Sequence, residues 1–319
     1  MPSREKIVSV QERDETVRRK PPLPANLRRR LRALACTMVG LVILFLKPLF
    51  VLVDFSFHSE LYSHLLLIPF ISLYLVWITP HTLAFAPAPS PRFGLFPILG
   101  GLASIFGYWI AVHGGWNPAT ADYLAVMMFS FLAFAVGASF VFIDLLTLSR
   151  IAFPLGFLIF LIPLPEFVRE AIETFSQHAS AEAASLMLKL SGMPVYREGL
   201  VLQLPGFAMR VAPECSGIRS SLVLFIVGLL AGHLFLKSAW NKTLLVIAVV
   251  FLGILRNGFR IFALGQLCVQ ISPDMINSDL HRRGGPIFFV LSLVPLLAFL
   301  IFLRKMECRK NRLNITPSH

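Results

Sequence analysis

The stretch Val211–Ser221, VAPECSGIRSS, holds the residue best prepared for chemistry. Cys215 stands where an irregular segment meets an apolar run covering 216–236, which places its thiol at or beside a helix N-terminus. Unpaired backbone N–H groups and the helix dipole favour a negative charge there. Arg219 follows one helical turn later on the same face, adding a cation that lowers a thiol pKa and increases the thiolate fraction. A free cysteine is commonly a small buried hydrophobe, and on the cysteine alone that reading prevails. Its company separates it: Ser216 and Gly217 follow directly, and two further polar clusters reach the same membrane face.

The first cluster is Leu255-Arg256-Asn257-Gly258-Phe259-Arg260-Ile261, at the end of an apolar run. Arg256 and Arg260 lie one turn apart on one helix face. An arginine at the bilayer centre costs about 2.5–3.5 kcal/mol on insertion scales, so it normally faces the bundle interior and acts there. Snorkelling to headgroups explains one such arginine as well as function does, and explains two less well. The second cluster is His281-Arg282-Arg283-Gly284-Gly285-Pro286, just before the last apolar run. A lone loop histidine is usually solvated, and His58, His64, His113 and His178 are rivals. His281 is distinguished because the runs carrying Cys215 and Arg260 surface beside it. A nucleophile, a fixed cation and a titratable base form the set needed for acyl transfer. The imidazole takes the thiol proton and returns it to the leaving amine, the guanidinium stabilises the oxyanion, and Asn257 is an extra donor.

These residues need a scaffold, and composition defines its class. With 56% hydrophobic residues, 14% charged residues and a mean hydropathy of +0.74, the 319-residue chain reads as a multi-span membrane protein. The net charge of +12 could suggest nucleic-acid binding, but the basic residues concentrate at the ends and between apolar runs, as positive-inside topology requires. Cys36 lies in an apolar run and Cys308 in a basic tail, leaving Cys215 and Cys268 as outer-face thiols. No disulfide framework is indicated, and a single bridge between those two stays open. No phosphate-binding Gly-rich loop, HExxH or CxxC occurs, so no cofactor or metal site is expected.

Residues 1–32 read as a disordered basic cytoplasmic tail and 304–319 as a second basic tail, flanking a transmembrane domain over 33–303. Apolar runs at 33–53, 61–79, 93–113, 123–143, 148–164, 216–236, 243–262 and 286–303 predict an all-α polytopic protein of about eight transmembrane helices. The fifth run is short and carries Pro154 and Pro163. Lys/Arg asymmetry places both termini inside. The main outer feature, 165–215, predicts an amphipathic helix with an apolar stripe of Val168, Ile172, Phe175, Ala179, Ala183, Leu186 and Leu190, ended by Gly192 and Pro194. A short β-hairpin, 199–204 and 207–211 around Pro205-Gly206, then delivers Cys215 to the membrane surface.

Glu214-Cys215-Ser216-Gly217-Ile218-Arg219, Asn257-x-x-Arg260-Ile261, His281 with Gly285, and more loosely Tyr62-x-His64 with Pro69 and Phe153-Pro154 through Pro163-x-Pro165, together resemble the exosortase/archaeosortase family of polytopic cysteine transpeptidases. The resemblance covers most of 33–303, and histidine at the third position resembles the bacterial exosortase branch. It implies a Cys215, Arg260 and His281 triad; Arg219, Asn257, Arg256 and Ser216 stand beside it as supporting residues by their own position and chemistry. Arg256 directly precedes the motif asparagine, so two arginines contend for the cationic role. The resemblance further implies a bacterial inner-membrane enzyme with its site on the periplasmic face. Its partners would be secreted proteins bearing a C-terminal tripartite sorting signal of the PEP-CTERM type, with a membrane lipid or surface glycan as acceptor. Two rival classes remain: a transporter or flippase using the arginines for an anionic solute or lipid, and a non-catalytic component of polysaccharide export.

Overall fold

The computed structural model describes residues 25–79, 91–212, 216–272 and 285–313. Among them five helices are long and apolar enough to cross a membrane, and two bent helix pairs raise the count to as many as seven. The protein is an all-α polytopic membrane protein with one small sheet. Three of the eight expected runs depart from straight spans, for identifiable reasons. The first is divided into α1 (Ala25–Leu44) and α2 (Leu46–His58) by a 67° bend. Pro48 cannot bond the Leu44 carbonyl four residues back, and its ring crowds that carbonyl. The second is only α3 (Ile68–Ile78) after a 3₁₀ turn at Ser63–Leu67. The fifth is broken into α6 (Leu145–Arg150), α7 (Ala152–Phe157) and a 3₁₀ turn at Leu158–Leu161, and Pro163 and Pro165 separate it from α8 (Glu166–Leu190). Between these lie α4 (Pro91–His113) and α5 (Thr120–Phe142). Because α1 begins at Ala25, Arg28–Arg30 and Arg32 of the expected tail stand on a helix.

The chain divides into two compact units, 1–54 with 65–163, and 55–64 with 164–319. The first is organised on the α4–α5 pair, which meets at Gly94 and Gly137: a Cβ on Gly94 would stand 2.6 Å from the Gly137 carbonyl oxygen. Small residues permit the close backbone approach that drives helix association in lipid.

The second unit contains every described residue of the acyl-transfer set. Its elements are α8, strands β1 (Tyr196–Glu198), β2 (Val201–Leu204) and β3 (Phe207–Arg210), and helices α9 (Ile218–Phe235), α10 (Ala239–Gln270) and α11 (Gly285–Leu313). The expected hairpin is present, with Leu204 opposite Phe207 around Pro205 and Gly206. Proline's fixed φ followed by Gly206 at φ 73° matches the preferences of a type II turn. The expected first strand starts later, at Val201, because Gly199 at φ 59° turns the chain and allows β1 to pair antiparallel with β2.

Helix α8 packs on α10 through small and polar residues. Its buried positions are Gln177, Ser180, Ala181, Ala184, Ser185 and Leu188, and a Cβ on Gly258 would lie 2.7 Å from Ala183 Cβ. The large members of the predicted stripe, Ile172, Phe175, Leu186 and Leu190, are exposed on the outside of the unit. In a bilayer that is the expected arrangement, since large apolar side chains gain nothing from facing protein over lipid while small ones let backbones close. One apolar cluster joins Leu188, Leu202, Met209, Val211, Ile261 and Cys268 across the sheet, α8 and the end of α10. Another joins Leu224, Leu245, Val249, Leu296 and Leu303 from α9, α10 and α11.

Candidate functional site

Between the two clusters, α10 carries a short polar band. Helices α9 and α10 approach closely there: a Cβ on Gly228 would stand 2.6 Å from Val249 Cγ2, and one on Gly253 3.0 Å from Ser221 Oγ. This brings Arg256, only 7% exposed, onto the first turn of α9. Its Nη2 donates to the Gly217 carbonyl at 3.2 Å and to Ser221 Oγ at 3.1 Å. The same carbonyl accepts Ser221 N–H at 3.0 Å and the Ser220 hydroxyl at 3.3 Å. It is therefore the knot tying the residues just after Cys215 to α10. Asn257 is 2% exposed and lies against the Gly217 Cα, while Ser216 is buried as well.

Among the described residues, Arg256 Nη1 is buried without a hydrogen-bond partner, as is Ser180 Oγ on α8. Buried polar groups are nearly always satisfied, so an unfilled guanidinium N–H beside a helix N-terminus creates a local preference for an anion. Arg260 lies one turn further along α10 and is partly buried. Arg219 is exposed and pairs with Glu60 at 2.9 Å. An ion pair so exposed contributes little stability, about 0–1 kcal/mol. Tyr62, on the same segment as Glu60, is buried and donates its hydroxyl to the Leu164 carbonyl at 3.1 Å, just before α8. Cys215 and His281 lie outside the described residues, as do Pro213, Glu214 and Arg282–Gly284.

Sequence reasoning thus finds Arg256, Asn257 and Ser216 at one place, puts Arg260 one turn away, and misses Glu60 and Ser221. Ser221 had a signal, standing four residues after Gly217 on the helix face that Arg256 meets. Glu60 had none, because its partner is 159 positions away.

Gly217 takes φ +68°, and an added Cβ would stand 2.6 Å from Asn257 Oδ1 and 2.7 Å from Asn257 Cγ. Asn257 is too buried to move aside. Gly217→Ala is expected to destabilise the protein by about 3 kcal/mol from left-handed strain and overpacking together. Denaturant unfolding in detergent checks this, with Gly100→Ala as control because nothing lies within 4 Å of its added Cβ.

No curated protein and no solved structure matches this chain. A family model described as transmembrane exosortase matches residues 56–298, a span that opens on the Tyr62 segment and takes in the Cys215, Arg260 and His281 motifs. With most of its length matched, the chain belongs to the transmembrane exosortase family.

Proposed function

We propose that this exosortase is a cysteine peptidase and transpeptidase that cleaves the C-terminal sorting signal of secreted proteins at the outer face of the bacterial inner membrane and passes them to a surface acceptor. The observation that supports it best is the buried Arg256, bonded to the Gly217 carbonyl two residues after Cys215 and retaining an N–H that no described residue fills. A cation so placed favours a thiolate and leaves donor capacity for an anion. In this reading the Cys215 thiolate attacks the scissile carbonyl carbon, and Arg260 with Asn257 stabilises the resulting oxyanion. His281 protonates the amine as the C–N bond breaks, leaving a thioester on Cys215. A lipid or glycan nucleophile, or water, then attacks the thioester and returns the proton to the thiol. No cofactor takes part in these steps.

Helix length supports an outer-face location. At 1.5 Å per residue Arg256 stands about 26 Å and Arg260 about 32 Å along the axis from Ala239, against a hydrocarbon core of about 30 Å. With Lys237 and Lys242 at the inner boundary, as both-termini-inside topology places them, Arg260 reaches the outer one. A substrate crossing once, with its basic end inside, would present the segment before its apolar helix at that level. PEP-CTERM-type signals have this order.

The test is reconstitution in vesicles with a single-span reporter carrying such a signal. Hydroxylamine should trap the thioester and yield a reporter ending in a hydroxamate, and iodoacetamide should label Cys215 at a pH well below the ordinary thiol pKa of about 8.5. An uncleaved reporter, with Cys215 alkylated only at the ordinary pKa, would overturn the proposal.

A further inference from the structure

The opposite end of the second unit holds a cleft that acyl transfer does not use. Glu307, near the end of α11, accepts hydrogen bonds from Lys237 N–H at 3.0 Å, Ser238 N–H at 2.9 Å and Asn241 Nδ2 at 2.9 Å. Ser238 is the N-cap of α10 and makes no side-chain cap bond of its own, so α11 supplies the cap in trans. Both Glu307 oxygens are thereby committed to the α9–α10 turn. It is the only acidic residue in 231–245 and 300–309, which also contain Lys237, Lys242, Arg304, Lys305 and Arg309. Among the described residues none of these five cations makes a salt bridge.

Two cavities open here. One, of about 430 Å³, is lined by Ile301, Arg304, Lys305, Cys308 and Arg309. The other, of about 380 Å³, has Leu234, Leu236, Lys237, Arg304 and Glu307 in its wall. They share Arg304 and Cys308, so a cationic ledge separates two partly apolar hollows. Their depth is marked by Trp240, 75% exposed at the start of α10, and by Arg304 directly after the apolar stretch of α11. Exposed tryptophan beside lysine and arginine marks the headgroup level of a bilayer.

We propose that this cleft binds the phosphate of an anionic phospholipid headgroup, with Arg304, Lys305 and Lys237 around the phosphate and an acyl chain along the Ile301 and Leu234 walls. Guanidinium and ammonium groups together suit a phosphate, and the apolar walls suit a ligand that continues into the membrane. A free phosphate would satisfy the cations and leave those walls uncovered. Bound lipid would brace the same junction that Glu307 caps. This site does not depend on the proposed acyl transfer.

The experiment uses the full chain in nonionic detergent, with phosphatidylglycerol, phosphatidylcholine or inorganic phosphate added, reading retained lipid by native mass spectrometry and Tm by thermal melting. Phosphatidylglycerol is expected to be retained and to raise Tm, while phosphatidylcholine and inorganic phosphate do neither. The double substitution Arg304→Gln with Lys305→Gln leaves the Glu307 cap intact and touches only exposed side chains. It should weaken phosphatidylglycerol binding on the order of thirtyfold, with lipid-free Tm unchanged. Equal retention of phosphatidylcholine by the native chain, or undiminished phosphatidylglycerol retention by the variant, would overturn the site. An equal Tm rise with inorganic phosphate would reassign it to the free anion and overturn the lipid.

Discussion

Cys215→Ala is expected to leave an inserted, full-length protein that releases no processed substrate. The sulfur is the bond-forming atom in the proposed reaction, and alanine offers no nucleophile, so the loss should be about 1,000-fold or more. The substitution also separates the rival classes. A transporter or flippase would use Arg219, Arg256 and Arg260 for an anion, and a scaffold would use surfaces; neither needs a thiol. Cys268→Ser is the matched control, because Cys268 is 1% exposed within the apolar cluster of the sheet, α8 and α10. It should retain processing with some loss of stability. The measurement is the processed fraction of substrate in vivo at equal protein levels. Unchanged processing in Cys215→Ala would remove the nucleophile and, with it, the peptidase reading.

The second large effect is expected at the arginines, where the two turns of α10 should respond differently to lysine. Among the described residues, Arg256 is engaged through Nη2, with Gly217 O and Ser221 Oγ. A lysine ammonium can serve both acceptors and keeps the charge, so Arg256→Lys should process within about tenfold of the native chain. Arg256→Met keeps the volume but removes the buried charge and the donor that Gly217 O and Ser221 Oγ share, leaving Gly217 O only its Ser221 N–H and Ser220 hydroxyl donors; the loss, about 1–3 kcal/mol, should lower both stability and activity. Arg260 occupies the motif position in the proposed mechanism, where a point charge cannot reproduce the planar fork at a developing oxyanion. Arg260→Lys should therefore cost about 100-fold or more in processing. Full activity of Arg260→Lys beside an inactive Arg256→Lys would move the catalytic cation one turn inward.

Where the sequence was legible, one pattern served one purpose. Alternating runs around Pro205-Gly206 could only be a hairpin, and α4 and α5 had uninterrupted apolar runs of spanning length. It was less legible where a proline interrupted a helix without ending an apolar run: Pro48, Pro163 and Pro165 sit beside helix breaks that hydropathy alone averages away. Helix α8 misleads in another manner. Its apolar stripe is genuine, yet the face that packs is the one with Gln177, Ser180 and Ala184, because lipid reverses the usual meaning of amphipathicity. Within the site, Arg256 was conspicuous as a charge in an apolar run, whereas its acceptors were not. A backbone carbonyl at Gly217 has no sequence signature, and Glu60 finds Arg219 only through tertiary structure.

Helix α10 is unbroken from Ala239 to Gln270, and its start is fastened by a carboxylate from α11. In an enzyme of the proposed kind such a rod is a ruler. Its zero lies among the basic residues at one boundary, and Arg260 is a fixed mark near the other. A substrate helix lying alongside would be measured against it, so the bond chosen would depend on how many residues separate that bond from the substrate's own basic end. Selectivity would then be partly a matter of length, set before any side chain of the cleaved segment is read.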